Sequence, residues 1–274
     1  MTGIELRPLL LGEILDRTFS LYRRHFLVFI GISGIPQLVV LAFSFAQKFA
    51  GRSSSGAASV SINAVLFLLL LLADILAYVL SQGGTIVAVS DLYLGRPASI
   101  GGALRRAGGE LALLSGVIML NGLAVLGGFI LLVIPGIYVM CRLLICVPAA
   151  LIEGRGPRES LSRSWDLTRD NAGRSFIILL LSIVISLAAE TLLTFPFGIF
   201  MAASVRNPGL LLFWTGMAQV GSSIASALVN PVLLIATSIF YYDLRVRKEA
   251  FDIQFMMNPE SQRAPNPSGL PSII

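Results

Sequence analysis

Histidine is nearly missing from this chain: His25 stands alone among 274 residues. A multi-histidine metal site is therefore closed to it. Cysteine is almost as sparse. Cys141 and Cys146 lie five residues apart in one apolar run. On a helix their backbones would sit roughly 9 Å apart, beyond the reach of an unstrained disulfide. Lysine occurs only at Lys48 and Lys248, at or beyond the ends of apolar stretches, so an intramembrane serine–lysine pair has little to draw on. Charged residues make up only 13% of the chain, against about 25% in soluble domains.

Apolar residues fill the space that charge leaves, at 55% of the chain. Their runs are long enough to cross a bilayer, which takes roughly 20 residues of helix. Six spans are expected: Phe26 to Phe49, Ile62 to Ser90, Leu111 to Ile134, Ile137 to Ile152, Phe176 to Ala203 and Leu210 to Tyr242. The third and fourth are separated only by Pro135 and Gly136. A continuous helix through both would be far longer than one crossing needs, so a tight hairpin is expected there. The expected fold is an all-α polytopic bundle of six transmembrane helices in three hairpins. An amphipathic interfacial helix precedes each hairpin.

The positive charges give the orientation. One side of the spans holds only Lys48, Arg52 and Arg206, while Arg23, Arg24, Arg96, Arg105, Arg106, Arg155, Arg158, Arg174, Arg245 and others crowd the opposite side. Both termini are expected in the cytoplasm, with the chain in the cytoplasmic (inner) membrane. The net charge of +5 reports that topology and an attraction to anionic lipid. It does not point to nucleic acid, because no basic face is interleaved with aromatics. The first apolar patch is broken by Glu13, Asp16 and Arg17, so a cleavable leader is not expected.

A loose internal repeat runs through the chain. Each unit starts at a proline (Pro8, Pro97 or Pro157), passes through a short basic amphipathic stretch, crosses twice, and leaves through an acidic-then-basic exit. The units cover about 8–96, 97–156 and 157–250 of one membrane domain over 1–255. The Pro- and Ser-rich remainder, 256–274, reads as a disordered tail, and "RSSSGAAS" from Arg52 as a flexible external loop. In the amphipathic stretches, Arg105, Arg106, Arg163, Trp165 and Arg169 are the residues expected to face lipid headgroups. Leu161, Trp165 and Thr168 share one face of the third stretch, with Glu159 and Arg163 paired opposite.

The lead-in "LGEILDRTFSLYRRHF", the run "IPGIYVMCRLLICVPAALIEGRGPRESLSRSWDLTRDN" and the exit "YYDLRVRKEAFD" resemble the membrane domain of some bacterial glycerophosphoryl diester phosphodiesterases and its stand-alone relatives of unknown function. The resemblance covers most of Leu6 to Asp252. It implies location and architecture, and no activity. The phosphodiesterase chemistry belongs to a separate soluble barrel with a metal site, and this chain is spent on membrane spans.

No phosphate-cradling loop, nucleophile elbow or HExxH motif is present, so catalysis and a cofactor are not expected. The deep polar residues are more informative. Asp74, Arg142 and Glu190 fall inside spans, and ionisable groups there face the bundle or water. They are expected to form an intramembrane polar centre, with Arg142 bonded to Glu190 or Asp74. On the sixth span, Gly221 with Ala225 and Ser222 with Ser226 make a close-packing surface. The reading that follows is a non-enzymatic membrane scaffold or accessory factor. Its partners would be lipids, with anionic headgroups on the cytoplasmic face, and another membrane protein. A small transporter or channel built on the polar centre is the alternative, and a lipid-modifying enzyme comes third.

Overall fold

A computed structural model describes residues 8–53 and 57–249, and the tail and the middle of the Arg52 loop lie outside them. The chain is all-α: among the described residues there is no strand, and six helices are long and apolar enough to cross a membrane. Ten helices follow one another among the described residues: α1 (Leu11–Arg24), α2 (Phe26–Ser53), α3 (Ala57–Tyr93), α4 (Ile100–Gly109), α5 (Leu111–Leu131), α6 (Val133–Arg142), α7 (Cys146–Glu153), α8 (Pro157–Leu167), α9 (Ala172–Ala203) and α10 (Pro208–Glu249). The pairs α2–α3, α5–α6 and α9–α10 are the three hairpins. The short helices α1, α4 and α8 precede them.

Two of the expected boundaries move. The turn between the third and fourth spans falls at Leu132, whose backbone is extended, and Pro135 and Gly136 lie in the first turn of α6. Proline is tolerated at Pro135 because an N–H at the third position of a helix would have no helical acceptor, and the first bond closes from the Gly136 N–H to the Leu132 carbonyl. Gly136 serves close approach instead: a Cβ on it would meet the ring of Phe129 at 2.5 Å. The fourth span is also not one helix. It breaks at Leu143–Ile145 into α6 and α7.

Burial divides the molecule along its length. Leu71, Leu72, Ile75 and Leu76 of α3, Met119 to Ile134 on the α5–α6 hairpin, and Leu187 to Phe200 of α9 carry many exposed large apolar side chains. Such a belt suits lipid. At the other end, Ser81 to Asp91 of α3, all but the last residue of α7, and Val232 to Val246 of α10 are almost wholly buried. That basal end, where α3 and α10 stop, holds the core. Phe240, Tyr241, Tyr242, Ile86, Ile145 and Leu151 are among its large, fully buried members.

The short helices supply the cover. α4 lies on α3 at Gly83 and Gly84. A Cβ on Gly83 would meet Leu114 at 2.6 Å and Ala107 at 3.0 Å, and one on Gly84 would meet Ile32 at 2.8 Å. α1 stands against α10: the Leu9 N–H donates to Asp243 at one end, and the Tyr22 hydroxyl donates to the Leu228 carbonyl at the other. These contacts are about 22 Å apart along α10 at 1.5 Å per residue, so α1 runs antiparallel beside it. Ile14 and Thr18 are the buried face of α1, while Leu10 and Phe19 stay exposed.

Candidate functional site: the break in the fourth span

A helix break leaves carbonyls without helical donors, and α8 supplies them here. The Arg142 carbonyl accepts from Ser164 Oγ and from Thr168 Oγ1, both at 2.9 Å. Arg142 returns the contact, its Nη2 donating to the Trp165 carbonyl at 2.6 Å. The guanidinium lies 4.5 Å from the Trp165 ring centre and 5.7 Å from that of Tyr138. Those two rings meet edge to face. A cation over aromatic faces gains further attraction. Arg142 therefore pins α8 to the break, and only 5% of it is exposed.

The expected polar centre does not form. Among the described residues, no ion pair or hydrogen bond joins Arg142 to Asp74 or Glu190. Asp74 is exposed on the apolar belt of α3, and Glu190 is half-exposed on α9. The physical reason is the turn of α8 back against α6, which gives the arginine a carbonyl and two rings at close range. Two unsatisfied atoms remain nearby. Arg142 Nε and Asn121 Oδ1 are buried without partners. Gly136 packs against Gly128, a register that sets Arg142 level with Gly122, next to Asn121.

Below the break, Glu153 gathers the basal polar network. Its carboxylate pairs with Arg163 at 2.9 Å, accepts from the Tyr241 hydroxyl at 2.8 Å and pairs with Arg155. Arg163 reaches on to Glu249, which Arg245 also holds. Burial disfavours the Arg163 charge, but its hydrogen bonds to Glu153 and Glu249 outweigh this and push its pKa up. Lys248 donates to the carbonyls of Asp166 and Arg169 at the end of α8, where a cation suits the helix dipole.

A second hub is Asp243, whose side chain is wholly buried. It binds the Leu9 N–H, Arg174 and Arg247, and both arginines also donate to the Leu9 carbonyl. Asp91 holds Arg106 at 2.8 Å, and Tyr242 stacks on Tyr93 and bonds Ser90.

The expected lipid-facing residues divide accordingly. Arg105, Trp165 and Arg169 are exposed. Arg106 and Arg163 are instead held by acids of the protein, Arg106 by Asp91 and Arg163 by Glu153 and Glu249. The Glu159–Arg163 pair is absent, because Glu153 and Glu249 occupy the arginine. Cys141 and Cys146 are free thiols on either side of the break. Among the described residues, no three His, Cys, Asp or Glu side chains gather as a metal site would require. Sequence reasoning missed Glu153 and Asp243. Each lies in an acidic-then-basic exit, and that pattern was the available signal.

Six apolar helices over a polar, cross-linked base define a multi-pass helical membrane protein. The chain belongs to the DUF7847 family, a domain of unknown function, whose model matches residues 67–244. No curated protein and no solved structure matches it.

Proposed function

We propose that this protein is a non-enzymatic scaffold or accessory factor of the cytoplasmic membrane, with both termini in the cytoplasm. The observation that carries the reading is where the charges go. Glu153, Asp243 and Asp91 spend the basal arginines on holding helices together, while Asp74, Arg142 and Glu190 do not converge. A transport path through the bundle would need polar groups lining it. Lipids, including anionic headgroups at the basal face, and another membrane protein are the partners this reading takes. It treats the three short-helix-and-hairpin units as an internal repeat. It also keeps the likeness to the phosphodiesterase membrane domain as a statement about architecture alone.

The test is flux. Purified protein in sealed vesicles is expected to leave proton and ion permeability at the level of empty vesicles. A leak that Asp74→Asn or Glu190→Gln reduces would favour the transporter reading. The orientation is tested separately, by reporter fusions after Leu132 and Asn207, expected outside, and after Arg96 and Gly154, expected inside.

A further inference from the structure

Between α5 and the start of α8 lies an open cleft of about 450 Å³, walled by Gly116, Met119, Leu120 and Leu123 on one side and by residues 156–159 on the other. The wall is apolar and continues away from the basal end. Met119, Leu123, Leu126 and Ile130 are all exposed, and their spacing of three and four residues puts them in one stripe along α5.

The rim is charged on both signs. Arg158 and Glu159 are exposed, and neither has an ion pair or a hydrogen bond among the described residues. The first turn of α8 is open as well. Gly156 offers no capping side chain, Pro157 has no N–H, and the first N–H to return to the chain is that of Ser160, to the Gly156 carbonyl. The N–H groups of Arg158 and Glu159 thus point from an uncapped helix start, where an anion is favoured.

We propose that this cleft binds a phospholipid whose headgroup carries both a phosphate and a primary ammonium. The phosphate sits on the Arg158 guanidinium and the open N–H groups. The ammonium donates to Glu159, and one acyl chain follows the α5 stripe. Glu159 repels a headgroup that is only anionic. It gains no hydrogen bond from a quaternary ammonium, which has no N–H to give. The proposal rests on the membrane reading of the six helices and is independent of the scaffold role.

The full chain, purified in detergent, would be offered equal amounts of phosphatidylethanolamine, phosphatidylglycerol and phosphatidylcholine, and retained lipid read by native mass spectrometry. Phosphatidylethanolamine is expected to be retained about fivefold over either competitor, the scale of one exposed ion pair. Arg158→Gln is expected to lower its retention about fivefold, by the same exposed ion pair. Glu159→Gln should erase the preference over phosphatidylglycerol, and Leu120→Trp, which fills the cleft, should exclude all three. Arg158 and Glu159 are exposed and unpaired, so both variants should fold as the parent does. Equal retention of the three lipids overturns the proposal. So does a preference for phosphatidylglycerol, or undiminished phosphatidylethanolamine on Arg158→Gln. A chain that is soluble and monodisperse without detergent would instead sink the membrane reading itself.

Discussion

At the scale of single residues, Arg142 shows how a charge inside an apolar run is used. It binds a carbonyl and two rings, so its removal strands no acid. Arg142→Met is expected to cost about 2 kcal/mol, the value of a hydrogen bond to a charged group. Thermal or denaturant unfolding in detergent measures it. Adding Asp74→Asn or Glu190→Gln should change the result only additively, as uncoupled sites do. Recovery of stability in either double variant would mean that a carboxylate does reach the arginine. That Arg142 would be buried was legible in its neighbours. Its partner was not, because Trp165 presents a main-chain carbonyl, and no side-chain chemistry advertises that. Thr168, expected on one face with Leu161 and Trp165, is wholly buried while Trp165 is exposed, and its hydroxyl is spent on the Arg142 carbonyl, a contact across 26 residues.

At the scale of elements, α4 depends on two adjacent glycines. Gly83→Ala is expected to destabilise by about 1–3 kcal/mol, the usual range for overpacking, because the Ala107 Cβ is fixed to the α4 backbone and cannot swing away. Gly101→Ala makes the same change where no atom lies within 4 Å. It is expected to stabilise by about 0.5–1 kcal/mol through helix propensity. Unfolding of the two variants side by side gives the opposite signs; a matching sign would mean that α4 does not rest on α3 at this point. The six apolar spans and the three short helices ahead of the hairpins were readable, since apolar length and amphipathic spacing are local properties. The break at Leu143–Ile145 was legible only through Pro148, which lacks the N–H for the Leu144 carbonyl and crowds it; that α8 supplies donors to the break is not a local property. The Pro-Gly pair that drew the turn to residues 135–136 belongs instead to a helix start and a close contact with Phe129.

At the scale of the whole molecule, Asp243 ties the start of the chain to its last helix. Asp243→Asn removes one charge from a buried cluster with two arginines, and about 3–5 kcal/mol is the expected loss for breaking such a pair. Limited proteolysis near Leu9 should accelerate in parallel. Unchanged cleavage there would mean that α1 is held by its Ile14 face alone. The uneven share of arginines between the two ends of the spans could be read in the sequence, because counts need no structure. The arrangement of those arginines around Glu153 and Asp243 could not, since α7, α8 and α10 meet only in the folded chain. The divided fourth span has a consequence for the order in which the protein is made. α6 has ten residues, about 15 Å of rise, half of the hydrocarbon thickness. While residues 133–153 are being inserted, Ser164 and Thr168 have not yet docked, and a continuous helix is the form that leaves the fewest carbonyls bare in lipid. The break is thus expected to form late in biogenesis, when newly synthesised α8 folds back and takes over bonds that the helix gives up.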